Sequence, residues 1–106
     1  MNGRILKRPQ AERDIEEAFV FIAERDEDAG LDFLFAVEET LELVAANPLI
    51  GAERKFDAVE LSSVRMWRIK SYEKYLIFYF VRENAIELIR LIHSSLDYNR
   101  VFGDDD

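Results

Sequence analysis

Three apolar segments in the second half of the chain are separated by very short polar stretches, and this spacing restricts the fold more than any other feature. The segments cover residues 64–70, 75–81 and 85–93. Because connections of only a few residues join neighbouring antiparallel strands, the sequence predicts a three-stranded antiparallel meander with turns at 71–74 and 82–84.

Both faces of the predicted meander carry apolar side chains. In the middle strand one face would hold Tyr75, Ile77, Tyr79 and Val81, and the other Leu76, Phe78 and Phe80. A strand with one face in water would alternate apolar and polar residues instead. We therefore expect one face to be left bare for a partner, because large bare apolar surfaces are usually interaction sites. A tail folded back from Tyr98 and a homodimer are the alternative covers.

Two amphipathic helices precede the meander and are expected to pack as a hairpin on one of its faces. The first follows Pro9 and ends near Arg25, and the second lies between a polar break at 26–30 and Asn47-Pro48. Apolar residues recur at helical spacing, at Ala11, Ile15, Ala18 and Ile22 and then at Leu34, Val37, Leu41, Val44 and Ala45. With a short strand at 4–8 and a loop at 49–60, the fold class is α+β.

Two apolar residues of the second helix fall outside its stripe. Phe35 and Leu43 lie well away from the core-facing positions by helical angle. They are candidates for a separate contact surface, for example one used in self-association.

The charge distribution restricts the classes of partner. The net charge of −8 argues against a general binder of free nucleic acid, which needs Lys and Arg to neutralise phosphates. From Gln10 to Asn47 there are twelve acidic residues against Arg13 and Arg25, whereas the stretch from 64 to 82 is locally basic. Cysteine is absent, which excludes disulfides and thiolate metal sites.

The remaining bulk features indicate one cytoplasmic domain. At 106 residues the chain has the length of one domain, with a tail from about residue 98 that we expect to be frayed. No secretory signal and no apolar run of membrane-spanning length is visible, so we expect a protein that is neither secreted nor inserted in a membrane. The acidic runs at 26–28 and 104–106 lack EF-hand spacing, so we expect no metal and no cofactor.

Four short motifs, in this order, resemble the ParE/RelE family, the toxins of bacterial type II toxin–antitoxin pairs. They are AERDI at 11–15, NPLIG at 47–51, YLIFY at 75–79 and IRLIH at 89–93, followed by Asp97. The ParE branch is the closer match. The resemblance covers roughly residues 4 to 100 and implies an antiparallel sheet backed by a helical hairpin.

The resemblance also implies a function. A cognate antitoxin would wrap over the toxin in an extended and partly helical form. ParE-like members are understood to poison DNA gyrase, and RelE-like members cut mRNA in the ribosome. The first hypothesis is therefore a non-enzymatic ParE-like toxin that binds an antitoxin, with gyrase as a candidate target. The alternatives are a RelE-like ribosome-dependent endonuclease and a non-toxic interaction module of the same fold.

An endonuclease of this fold would need clustered cations and an aromatic hydroxyl to orient the 2′-hydroxyl and stabilise phosphorane charge. The candidates are Arg65, Arg68, Arg90, Tyr98 and Arg100. In the structural alternative, which we prefer, they solvate strand edges or pair with acidic residues such as Glu83, Glu87 and Asp97.

The only histidine, His93, is another candidate, but a lone histidine at a strand end is more often structural. In the family it begins an H-x-x-R-D pattern. The arginine position of that pattern holds Leu96 here, which weakens any role that needs a positive charge.

Partner contacts are expected from the aromatic residues of the meander. Large aromatic side chains anchor interfaces when they are buried centrally, which favours Trp67 and Tyr79. Ile77, Leu88 and His93 complete the predicted partner-binding set. Strand parity does not decide between this role and a place in the core beneath the helices.

Overall fold

The computed structural model describes residues 3–54 and 63–96, in which two helices cover one face of a five-stranded mixed sheet. The elements are β1 (Arg4–Lys7), α1 (Pro9–Ala23), α2 (Glu27–Ala46), a 3-10 turn (Pro48–Ile50), β2 (Ala52–Arg54), β3 (Val64–Ile69), β4 (Tyr72–Arg82) and β5 (Ala85–His93). The strand order is β1-β5-β4-β3-β2, with β1 parallel to β5 and the other pairs antiparallel. The α+β class and the meander are confirmed.

The turn between β3 and β4 is tighter than the sequence indicated. Ile69 pairs with Tyr72, so the loop is only Lys70-Ser71 and β4 begins at Tyr72 rather than at residue 75. Ser71 has a φ of 69° and Asn84, in the next turn, a φ of 57°. A positive φ at the second residue of each loop helps the chain to reverse direction within so few residues.

The second helix of the hairpin begins with a capped first turn and packs closely against the first. Asp26 is the N-cap of α2 and accepts a hydrogen bond from the amide of Ala29 at 3.2 Å, so the helix starts inside the polar stretch expected at 26–30. Gly30 lets the two helices approach closely, because a Cβ there would lie 2.8 Å from the Cβ of Ala23.

The helix-side core contains the two predicted stripes. Ala11, Ala18, Val37, Leu41, Val44 and Ala45 are buried, together with Phe33, and Ile15, Ile22 and Leu34 pack against them half-buried. Phe35 and Leu43 are exposed, as their helical angle indicated. None of the helices in the described residues combines the length and apolarity needed to cross a membrane.

The expectation of a bare apolar sheet face is wrong. Val64, Phe78, Phe80, Ile89 and Ile92 form a second cluster, and each is less than 5% exposed. Met66 and Leu76 pack against this cluster, and the guanidinium groups of Arg8 and Arg82 lie 5.6 and 4.6 Å from the Phe80 ring centre. The alternation of side chains along a strand predicts which residues share a face of the sheet, but it does not predict what covers that face.

A bulge in β5 adds to this second cluster. The pairing passes from Phe78–Arg90 to Tyr79–Leu88, so Ile89 is an extra residue in the strand. Ile89 is buried in the second cluster, whereas Leu88 and Leu91 belong to the helix-side core.

The stretch expected to be a loop at 49–60 contains a strand that the sequence did not indicate. Ala52–Arg54 pairs with β3 as an edge strand, with Glu53 opposite Arg65. Residues 55–60 lie outside the described part of the chain. The expectations for a frayed or folded-back tail from residue 98 lie outside it as well.

Candidate functional site

Three of the five predicted partner-binding residues are inside the protein. Tyr79, Ile77 and Leu88 are fully buried in the helix-side core. A partner could reach them only if the helices left the sheet, so their assignment as interface residues is wrong. β4 and β5 are central strands, and the apolar pattern of a central strand is the same whether a helix or a partner covers it.

Trp67 lies on the same face but nearer the border of the helices. It is half-buried and packs against the helix-side core. The guanidinium of Arg68 lies 4.7 Å from the centre of its ring. This stacking covers part of the ring and gives Arg68 a structural contact.

The hydroxyl of Tyr79 fixes the loop that follows α2. It donates a hydrogen bond to the carbonyl of Pro48 at 2.7 Å and accepts one from the amide of Gly51 at 3.0 Å. Burial raises the pKa of Tyr79, although the Gly51 amide and the charge of Arg65 act in the opposite direction. The proton that the bond to Pro48 requires is therefore held more firmly.

Arg65 is committed to the same loop. Its Nη1 donates to the carbonyls of Gly51 at 2.6 Å and Leu49 at 3.2 Å, and its Nη2 lies 3.9 Å from a carboxylate oxygen of Glu53. A guanidinium used in this way fixes backbone, and its freedom to meet a substrate phosphate is correspondingly reduced.

Arg90 forms an ion pair with a buried residue of α1 whose role the sequence reasoning missed. Its Nε donates to Oδ2 of Asp14 at 2.7 Å, and the amide of Leu91 donates to the same oxygen at 3.1 Å. Gln10 donates to Oδ1 at 2.9 Å. Asp14 is 8% exposed and falls between Ala11 and Ala18 on the buried stripe, which was the signal for a structural partner.

His93 closes the end of β5. The amide of Ser95 donates to its Nδ1 at 3.1 Å, and the hydroxyl of Ser95 lies 2.8 Å from the same nitrogen. The ring meets Tyr75 edge to face, with centroids 4.9 Å apart. His93 and Arg90 line one shallow cleft of about 220 Å³ with Asp14, Glu17, Ala18, Tyr75, Leu91, Ile92 and Leu96.

The candidates for RNA cleavage that lie in the described residues are separated by the strand order of the sheet. Arg65 and Arg68 belong to β3 and Arg90 to β5, with β4 between them. Two strand spacings separate these backbones by about 10 Å. Arg90, which lines the cleft with His93, is already paired with Asp14. Tyr98 and Arg100 lie outside the described residues.

An exposed apolar surface does exist, but on the helical hairpin rather than on the sheet. We call it the hairpin surface and define it as Phe19, Val20, Ala23, Leu31 and Phe35. The first four line an open hollow of about 620 Å³ with Glu24 and Glu27. Phe35 follows Leu31 by one helical turn on the same side of α2 and is 74% exposed.

Comparisons with known proteins agree with the fold. The model of a family described as the ParE toxin of type II toxin-antitoxin system, parDE, matches residues 5–98. No curated protein sequence matches the chain. A solved chain described as the chromosomal ParDE toxin–antitoxin system from P. aeruginosa is similar with a TM-score of 0.68 and 13% identity, over 86% of this chain and 95% of that one.

Proposed function

Because this chain belongs to the ParE toxin family of type II toxin–antitoxin systems, we propose that it is the toxin of such a pair, binds a cognate antitoxin, and acts on a protein target rather than by cutting RNA. The family match covers most of the chain and makes an antitoxin the expected partner. The fold of the P. aeruginosa chain is consistent with this proposal.

One observation carries the non-enzymatic part of the proposal. Each described arginine that could stabilise a cleaving phosphate already has a structural contact: Arg65 with the Leu49–Gly51 backbone, Arg68 with the Trp67 ring, and Arg90 with Asp14. General acid–base and electrostatic catalysis need such groups to converge on one reacting centre. Binding a protein makes no such demand.

DNA gyrase is the target that we propose. The support is the resemblance to the ParE branch, whose members are understood to poison this enzyme. A cytoplasmic location goes with this proposal, because gyrase acts on chromosomal DNA. The second candidate target, the ribosome, would require Arg65 and Arg90 to leave their present hydrogen bonds.

The first experiment tests the pairing with an antitoxin. The chain is expressed from an inducible promoter alone, and then together with the protein encoded by the adjacent reading frame. We expect growth arrest in the first case, rescue in the second, and co-purification of the two proteins as a complex. Rescue by an unrelated acidic or basic protein of the same size would show that the effect is non-specific, and it serves as the control.

The third hypothesis, a non-toxic interaction module, predicts a different result in the same experiment. Normal growth during expression of the soluble, folded chain alone, at levels confirmed by immunoblot, would contradict the proposal that it is a toxin. Co-purification with the neighbouring protein without toxicity would then support the interaction module.

A further inference from the structure

The loop between α2 and β2 keeps two adjacent apolar side chains in solvent. Leu49 is 68% exposed and Ile50 36%. We call residues 48–51 the tip loop, which lies outside the hairpin surface. Two large aliphatic side chains at the surface of a short loop contribute little to the core, so their presence there calls for another role.

The backbone of the tip loop is held in place by side chains of the sheet. The hydroxyl of Tyr79 bonds the carbonyl of Pro48 and the amide of Gly51, and Nη1 of Arg65 donates to the carbonyls of Leu49 and Gly51. Because two different strands supply these groups, the conformation of the loop is fixed before any partner arrives.

Gly51 allows the tip loop to lie this close to the sheet. A Cβ at position 51 would lie 2.5 Å from the hydroxyl of Tyr79 and 2.9 Å from the carbonyl oxygen of Met66. The fold thus combines a buried hydroxyl, a guanidinium and a glycine to fix a segment whose two large side chains remain in water. A loop that is already ordered loses less conformational entropy when it binds.

A short fixed loop of this kind suits a pocket in a folded protein. Helical peptides bind in grooves, and extended peptides bind in grooves or along sheet edges. The tip loop offers neither of these, because it presents two neighbouring side chains at the end of a helix. Apolar anchors of this size contribute most to affinity when a partner encloses them in a pocket.

The charge around the tip loop indicates what kind of surface carries that pocket. The net charge of the chain is −8, and α2, which leads into the loop, has no basic residue in its last turn. On the other side of the loop, Arg65 is bonded to the loop carbonyls and lies 3.9 Å from Glu53, and Arg54 is half-buried. An acidic molecule is repelled by anionic membranes and nucleic acids and attracted by cationic protein surfaces. Enzymes that act on DNA carry such surfaces, because they neutralise phosphates with Lys and Arg.

We propose that the tip loop is the part of the toxin that contacts its protein target, with Leu49 and Ile50 seated in an apolar pocket on the cationic surface of an enzyme that acts on DNA. This inference rests on the proposed function and adds the surface through which the target is recognised. Tyr79 and Arg65 are then positioning residues, which hold the loop in the conformation that binds.

The test measures the concentration of each variant that halves DNA supercoiling by purified gyrase. Leu49→Ala/Ile50→Ala should require about tenfold more protein than the unmodified chain, because both apolar anchors are lost. Leu49→Met/Ile50→Leu keeps their volume and should inhibit as the unmodified chain does. The matched control, Leu6→Ala/Phe21→Ala, removes two side chains of comparable exposure, 39% and 55%, and should also inhibit normally.

Tyr79→Phe tests the support of the tip loop separately from its surface. It keeps both exposed side chains and removes the hydroxyl that bonds the loop, so inhibition should weaken several-fold. The affinity for the antitoxin, measured by isothermal titration calorimetry, should be unchanged in this variant and in Leu49→Ala/Ile50→Ala. Unchanged antitoxin binding also shows that both variants are folded.

Four results would overturn the inference while leaving the proposed function intact. They are equal inhibition by Leu49→Ala/Ile50→Ala and the unmodified chain, an equal loss in the matched control, a loss of antitoxin affinity as large as the loss of inhibition, and self-association of the unmodified chain in sedimentation velocity that Leu49→Ala/Ile50→Ala abolishes. The last result would assign the tip loop to a contact between copies. Failure of the proposed function gives a different result, since the unmodified chain itself would then leave supercoiling unchanged, and the inference would fall with it.

Discussion

At the scale of single residues, Tyr79 places a polar hydroxyl in the apolar helix-side core. It joins the core to the backbone of Pro48 and Gly51. We expect Tyr79→Phe to keep the ring packing and lower the free energy of unfolding by about 1–2 kcal/mol, because one buried and one part-buried backbone group lose their partner. Urea denaturation at neutral pH measures this change, with Tyr72→Phe as a control for a half-buried hydroxyl that donates to the carbonyl of Ala29.

The same residue should make stability depend on alkaline pH. Burial raises the pKa of Tyr79 above its ordinary value of 10.0, so the folded chain holds the proton more tightly than the unfolded chain. The contribution is complete below about pH 10 and is lost as the pH rises through the folded-state pKa. Tyr79→Phe should show a shallower alkaline loss, with Tyr75, whose pKa burial also raises, supplying part of the remainder. Parallel losses in the two proteins would contradict this account.

Asp14 is the buried carboxylate on which α1 and β5 depend. Asp14→Ala leaves the guanidinium of Arg90 and the amide of Leu91 without their acceptor. We expect a loss of about 3 kcal/mol in the free energy of unfolding, which is the usual cost of breaking a buried pair from one side. Glu17→Ala, an exposed acid of the same helix, is the control and should change stability by less than about 0.5 kcal/mol. Similar losses would show that the pair is not structural.

At the scale of elements, Glu87 of β5 links the end of β1 to the end of β4. Its carboxylate accepts from Nε of Arg8 at 2.8 Å and from Nε of Arg82 at 3.0 Å. The hydrogen bond from Arg8 lowers the pKa of Glu87 most, burial opposes it, and Arg82 lowers it further. The ionised carboxylate therefore contributes stability above its unfolded-state value of 4.5, and this is lost as the pH falls through the lower folded-state pKa.

Glu87→Gln tests this link. The variant should be less stable than the unmodified chain at neutral pH, and the difference should narrow as the pH falls below 4.5. Thermal unfolding across that range measures it, with Glu83→Gln in the neighbouring turn as the control. A difference that stays constant across the acid range would mean that the carboxylate charge does not hold the three strands together.

The helices could be predicted because their apolar residues recur at helical spacing, and the meander because three apolar segments are joined by very short connections. β2 could not, since Ala52-Glu53-Arg54 has no apolar alternation and becomes a strand only by pairing with β3. The Lys70-Ser71 turn was misplaced for a related reason. Its positive φ falls on Ser71, a residue without the conformational freedom of glycine that usually marks such a turn.

At the scale of the whole molecule, strand parity showed correctly that both sheet faces are apolar, but the burial of both was not accessible from the sequence. Cover depends on contacts between distant segments, such as Arg8 and Arg82 over Phe80. The same limit placed Tyr79 and Leu88 at an interface when they belong to the core. Phe35 was identified correctly as exposed because helical angle is a local property.

The structure shows where the acidic half of the chain lies. The acidic residues counted between Gln10 and Asn47 lie on the helical hairpin, which also carries the exposed apolar residues Val20, Leu31 and Phe35. The bare sheet face from which partner binding was first inferred is therefore not part of the fold.

The most direct test of the account is a side-by-side assay of the purified chain against its two candidate targets. One reaction contains DNA gyrase, ATP and relaxed plasmid, and the other contains translating ribosomes with a defined mRNA. We expect inhibition of supercoiling in the first reaction, reversed by the antitoxin, and intact mRNA in the second. Codon-specific mRNA cleavage that Arg68→Ala abolishes, together with unchanged gyrase activity, would contradict the account.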